Sequence, residues 1–299
     1  MRPSIGSSNA LVSVCRAASV LDQSRHARLA GRLFGVFSDM PAALRSVYLA
    51  DELGRIGGVA KLRRVLDFGC GRGIGCCLLA RLLPAARVMG LDASEERVAQ
   101  SKDLAARLEL RNVEFVPGRT PFKPAGQGFE LIVAFDVLEH VPNDSDLLAQ
   151  LCAVLAPGGW LLVEVPAAVH EPGEALPHGH LREYVPGVIP QLVAARGLRT
   201  VSEQFTFTGA VGTIMQRAER RMSNAPNWLT RLAWRIAYVL SYHRDVREAM
   251  AQVGRCRQEA HTWPSRRLPL ALLIRAQKPV RAVPTDQFAT GEALTARKT

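Results

Sequence analysis

The chain has 299 residues, 48% of them apolar and 22% charged. That is long enough to bury roughly three quarters of its unfolded surface, and the composition excludes disorder as the overall state. The net charge of +11 is unevenly placed. Residues 1–64 carry 10 basic and 4 acidic groups, residues 65–209 carry 12 and 17, and residues 210–299 carry 16 and 6. An acidic middle therefore lies between two basic flanks, and the overall charge is not in itself the mark of a nucleic-acid-binding surface.

The first 28 residues are rich in Ser and Arg, with Asp22 as their one acid. A frayed leader joined to an amphipathic helix is the reading preferred over a transit peptide. From Arg63 onward, short β-rich runs alternate with helical patterns, as in a parallel sheet with crossover helices. Strands are expected at 64–68, 87–92, 113–116, 129–135 and 160–165. The fourth is almost wholly apolar, as a strand covered on both faces should be. A helix follows the first strand as far as Leu83. Ser94 caps the next helix, with Glu95 and Glu96 in its first turn, where the helix dipole favours anions. A further helix over 146–155 is expected to end at Pro157-Gly158-Gly159. That turn also interrupts the longest uncharged stretch, 147–163, so no membrane-spanning helix is expected.

Beyond the fifth strand come a loop over 167–179, a helix near 189–195 closing at Gly197, and a strand near 199–207. Residues 209–265 read as two Arg-rich helices bearing Trp228, Trp234, Tyr238 and Tyr242, and the last apolar strand is 270–274. The tail after Pro279 is polar and reads as disordered. The six cysteines (Cys15, Cys70, Cys76, Cys77, Cys152, Cys256) form no C-x-x-C pair and no zinc-like spacing. Most lie in apolar stretches, where a thiol packs as a small hydrophobe, and a reducing, cytoplasmic setting is expected.

The strongest chemical signal is Val65-Leu66-Asp67-Phe68-Gly69-Cys70-Gly71-Arg72-Gly73, a strand running through alternate glycines into a helix. Glycines there permit unusual backbone angles and close approach of a ligand to the main chain. A dinucleotide site would show G-x-G-x-x-G. Here the spacing is G-x-G-x-G, and Asp67 before it suits a cationic ligand better than a phosphate. Asp92, at the end of the second strand, is placed to accept both hydroxyls of a ribose.

These segments, together with Leu91-Asp92-Ala93-Ser94, 129–141 and 155–166, resemble the class I S-adenosylmethionine-dependent methyltransferases. The similarity is to the small-molecule branch that includes ubiquinone-biosynthesis-type enzymes, and it runs from about Phe37 to Lys278. The resemblance implies an α/β, Rossmann-like, doubly wound seven-stranded sheet of order 3-2-1-4-5-7-6. It implies S-adenosyl-L-methionine as cofactor, with Asp67, Gly69, Gly71 and Gly73 along its methionine portion and Asp92 on the ribose. Phe135-Asp136-Val137-Leu138-Glu139-His140-Val141 matches the family's stretch after the fourth strand. Phe135 and Asp136 then lie beside the transferred methyl, while Glu139 and His140 are structural. Where the family has Gly-Asp-Ala after the third strand, this chain has Gly118-Arg119-Thr120, and Arg119 cannot accept a hydrogen bond from adenine.

On the acceptor side the base candidates are His170, His178, His180 and Tyr184. His180 is the chosen residue, because His180-Leu181-Arg182 resembles the segment bordering the acceptor pocket. His178 and His180 have no evident third ligand, so no metal site is read. The expected organisation is a leader or helix over 1–36, a methyltransferase domain over 37–278 with a helical insertion at 209–265, and a tail over 279–299. The expected reaction is methylation of an oxygen, nitrogen or carbon of a small-molecule or lipid-linked acceptor. The insertion either caps the acceptor pocket or meets anionic lipid as an interfacial helix. RNA or protein methylation, an NAD-type oxidoreductase and non-catalytic cofactor binding are the rival readings. Oligomeric state is not encoded in any feature found.

Overall fold

The computed structural model describes residues 13–14, 40–118, 128–168, 176, 179–206, 258–259 and 271–280. The leader apart from residues 13–14, Arg119 and Thr120, His170 and His178, most of the 209–265 insertion and the tail after residue 280 lie outside the described residues. One sheet organises the rest. Its strands are β1 (Arg64–Phe68), β2 (Arg87–Asp92), β3 (Val113–Pro117), β4 (Phe129–Phe135), β5 (Leu155–Pro166), β6 (Arg199–Thr206), β7 (Gln258–Glu259) and β8 (Ala271–Gln277). They lie in the order β3-β2-β1-β4-β5-β8-β6-β7. The five strands β3 to β5 pair in parallel, while β8 is antiparallel to both β5 and β6. This is the expected seven-stranded order, with the two-residue β7 added on the outer edge of β6.

The helices are α1 (Met40–Arg55), α2 (Ile74–Leu82), α3 (Glu95–Arg107), α4 (Asp144–Val154) and α5 (Val188–Ala194). Alternate residues of the central strands face opposite cores, as the two-residue strand period demands. Val65, Leu131, Val133 and Leu162 pack with α1, α2 and α3. Leu66, Ile132, Ala134, Leu161 and Val163 pack with α4 and α5. A sheet buried on both faces has no room for polar side chains except at strand ends, which is where Asp67, Asp92, Asp136 and Glu164 stand. Among the described residues, Cys70, Cys76, Cys77 and Cys152 are buried free thiols, and no helix is long and apolar enough to cross a membrane.

Several boundaries differ from expectation, and β8 runs to Gln277 rather than stopping at 274. Helix α4 starts at Asp144 rather than 146, because Asn143 is its cap and accepts from the Asp146 amide at 3.1 Å. It ends at Val154, where Lys278 Nζ reaches the Cys152 and Leu155 carbonyls at 2.9 and 2.7 Å, a cation at the negative end of the helix dipole. Pro157-Gly158-Gly159 does not separate helix from strand. It is a bulge inside β5, where the pairing with β4 jumps from Phe129↔Leu155 to Leu131↔Trp160. Gly158 takes φ +77° there, and its amide and the Gly159 carbonyl bond to Lys278 on the neighbouring chain segment.

Candidate active site

The carboxyl ends of β1, β2 and β4 open into a cavity of about 840 Å³. Ligands of open α/β sheets bind at this edge, next to the point where strand order reverses. Four elements wall it: the glycine turn after β1, the start of helix α3, the turn after β4, and helix α1 from the N-terminal side.

The glycine turn is shaped by contacts as well as by its own flexibility. The Gly69 and Cys70 amides both donate to the Leu91 carbonyl, at 2.7 and 3.0 Å, stitching the turn to β2. Gly69 has φ +75°, and a Cβ there would fall deep inside the Val137 side chain, so the first glycine is what lets the two turns touch. Gly73 caps α2 at φ +78°, and a Cβ on it would lie 2.7 Å from Ser101 Cβ. Gly71 differs, having open space where its Cβ would point. Gly69, Gly71 and Asp67 all line the cavity; Gly73 lies just behind it.

Asp67 stands next to last in β1 at 6% exposure. Burial, with the charge of Asp92 adding to it, pushes its carboxyl up to about 6, although the Cys76 thiol donates to Oδ2 at 3.2 Å and works the other way. Asp92 is equally buried and stands behind the lining rather than in it. Its Oδ2 accepts the Gly71 amide at 2.9 Å and its Oδ1 the Ser94 amide at 2.9 Å, leaving each oxygen a second lone pair. Ser94, Glu96, Arg97 and Gln100 carry the lining on that side.

Opposite them stand Phe135, Asp136 and His140. Asp136 holds φ +52°, an uncommon conformation for a residue with a side chain, and its carboxylate is ion-paired with Arg45. Arg45, together with Ala42, Ser46 and Leu49 of α1, completes the wall. The Arg45 contribution escaped the sequence reading. A lone Arg in an amphipathic helix carries no local signal, and its acidic partners lie 91 and 119 residues away in sequence.

His180 is adjacent to the cavity but not among its lining residues. Its ring stands edge-on to that of His140, with centroids 5.0 Å apart, and His140 takes the lining position. The neighbouring Leu181 amide donates to the Glu139 carbonyl at 2.8 Å. Arg182 clasps the turn after β4, donating to the Val141 and Pro142 carbonyls at 2.6 and 2.8 Å. Tyr184 is withdrawn as a base. It is buried, its hydroxyl donates to Asp144 at 2.7 Å, and burial together with that carboxylate raises its pKa strongly. Glu139 is wholly buried, and burial followed by the charge of Asp136 pushes it up to about 8.

This fold and this cavity define a class of ligand-binding open α/β sheets, and comparison with known proteins narrows it. A family model described as a methyltransferase domain matches residues 39–208. A trans-aconitate 2-methyltransferase of Methylobacterium nodulans is 32% identical over 69% of this chain and 72% of its own length. Another, from Variovorax paradoxus, is 37% identical over 38% of this chain, and the match spans about two fifths (42%) of that relative. Among solved structures, the O-methyltransferase from a trans-AT PKS multienzyme of Brevibacillus brevis, in complex with S-adenosyl-L-homocysteine, superposes with a TM-score of 0.52. It is 14% identical, over 79% of this chain and 72% of that one, a likeness of fold. The chain belongs to the class I S-adenosylmethionine-dependent methyltransferases, a family of enzymes whose cofactor is S-adenosylmethionine.

Proposed function

We propose that the protein transfers the methyl group of S-adenosylmethionine to an oxygen of a small molecule. The observation that carries this reading is one continuous cavity with two unlike walls. One side has the glycine turn and a buried acid; the other has Phe135, Asp136 and His140. The volume lies in the range of small-ligand sites.

The residues present suit the cofactor. Gly71 leaves open space against the cavity, and Asp67 is a buried acid held near its protonation point that a cationic ligand would ionise. Asp67, Gly69, Gly71 and Gly73 would hold the methionine portion. Asp92 would act on the ribose through its remaining lone pairs, with its first ones fixing the turn. The bound cofactor supplies an electrophilic methyl on a sulfonium, so the protein's task is chiefly orientation. Phe135 and Asp136 would set the acceptor against that methyl. His140 would touch the acceptor and His180 would position His140, placing the sequence-chosen histidine one step back from the reacting atoms.

Relatives named for a small molecule, trans-aconitate, support a small-molecule acceptor. A peripheral contact with anionic lipid through 209–265, and with it a lipid-linked acceptor and a cytoplasmic location at the membrane, remains a proposal supported by the Arg and Trp pattern of that segment. Flotation of the protein with phosphatidylglycerol vesicles tests it. Calorimetric titration with S-adenosylhomocysteine tests the main reading. Stoichiometric binding that is lost in Asp67→Ala supports it, and absence of binding by the native chain overturns it.

A further inference from the structure

At the His140 wall, the structure gathers a set of donors around Glu139, a carboxylate that the methyl-transfer reading leaves without a task. Glu139, His140 and His180 each offer a ligand atom, and these atoms all lie within 4.8 Å of one another. Glu139 comes from the turn after β4 and His180 from the segment after β5, 41 residues on. The Leu181 amide bonded to the Glu139 carbonyl and the Arg182 clasp on the same turn fix the two segments together.

The carboxylate is the telling member. Glu139 is fully buried, and among the described residues neither of its oxygens accepts a hydrogen bond from another residue. A buried carboxylate without donors is costly, and sequence periodicity offers no reason for an acid there. His140 is exposed and lines the cavity, so the cluster opens toward the site rather than lying sealed in the core.

We propose that Glu139, His140 and His180 bind one divalent first-row transition ion at the cavity wall. Two imidazoles and one carboxylate form a donor set suited to zinc, iron, cobalt or manganese. Bonds of about 2.0–2.2 Å to such donors require ligand atoms roughly 3.3 Å apart, so closing the cluster takes a contraction on the order of 1 Å. Three protein ligands leave an open position, as in catalytic rather than structural sites. That position would accept an oxygen of the acceptor, a role that rests on the small-molecule reading above, whereas binding of the ion does not.

The test uses the full chain, stripped with chelator, dialysed, and titrated with Co²⁺ while visible absorption is followed. One equivalent should bind, giving d–d bands of a low-symmetry site. Glu139→Gln and His180→Ala should each weaken binding at least tenfold. His140→Ala, at an exposed position that does not endanger folding, should do the same. Glu139→Gln, at a residue with no part in the methyl-transfer reading, should retain S-adenosylhomocysteine binding within about threefold. Failure of the native chain to bind Co²⁺, or Co²⁺ affinity unchanged in Glu139→Gln and His140→Ala, overturns the proposal. Selective Co²⁺ binding in a chain that does not bind S-adenosylhomocysteine would uphold the metal site and overturn the methyl-transfer reading instead.

Discussion

Arg45 Nε lies 3.2 Å from Glu164 Oε1, and the same guanidinium is paired with Asp136. One side chain on α1 thus binds the ends of both β4 and β5, and Glu164 is itself fully buried. A second latch, Arg275 to Glu52 at 2.6 Å, ties α1 to β8. The helix that walls the cavity is fastened to the sheet by two buried acids, each answered by an arginine from the other element.

Replacing Arg45 by Met should therefore do more than remove a surface charge. It leaves Glu164 without its guanidinium, which in a buried setting costs about 1–3 kcal/mol, and frees Asp136 from its strained position. Urea denaturation should show that loss, and S-adenosylhomocysteine affinity should fall several-fold. Adding Glu164→Gln should recover most of the stability, since the buried charge is then gone.

Asp67 sets a pH dependence with opposite signs for folding and binding. Its pKa is raised from 3.8 to about 6 by burial, so the folded state holds the proton more tightly than the unfolded one. Its contribution to stability is complete below pH 4 and is lost as pH rises through 6. Binding of a ligand carrying an ammonium or sulfonium needs the ionised form, so affinity should weaken as pH falls below about 6. Asp67→Asn should flatten that profile. It should bind at least tenfold more weakly at pH 7.5, yet be as stable as the native protein or more so, by about 1–3 kcal/mol. Calorimetry across pH 5–8 with parallel thermal melts checks both signs.

Gly69→Ala should destabilise the fold by roughly 1–3 kcal/mol, combining a left-handed backbone with collision against Val137. The collision can be relieved and the backbone strain cannot. Val137→Ala in the same chain should restore part of the loss, and a double-mutant cycle on denaturation midpoints measures the part.

Asp92→Asn tests whether the carboxylate shapes the turn as well as meeting a ligand. One amide nitrogen would then face either the Gly71 or the Ser94 N–H, two donors against each other. Affinity for S-adenosylhomocysteine should drop at least tenfold, and amide exchange at Gly71 should quicken in the unliganded protein. Slow exchange at Gly71 in this variant would show that the turn holds without Asp92.

Sequence by itself determined the sheet. Apolar runs covered on both faces, glycines at fixed spacing and an acid at each strand end are local patterns, and β1, β2 and β4 fall where those patterns place them. The bulge at Pro157-Gly158-Gly159 was misread for the same reason. Proline and glycine mark a departure from regular structure, but whether the chain ends an element or detours within it depends on the partner strand, here Lys278 and β4. The site followed the same division. Asp67, Gly69, Gly71 and Asp92 lie within 26 residues and were legible as a motif. Only the tertiary structure brought Arg45 onto Asp136 and Glu164, set His140 between His180 and the cavity, and enclosed Glu139 with no donor from another of the described residues. Those relationships join residues 40 or more positions apart, and the free energy that fixes them comes from packing α1 and the segment after β5 on the sheet, which no local pattern encodes.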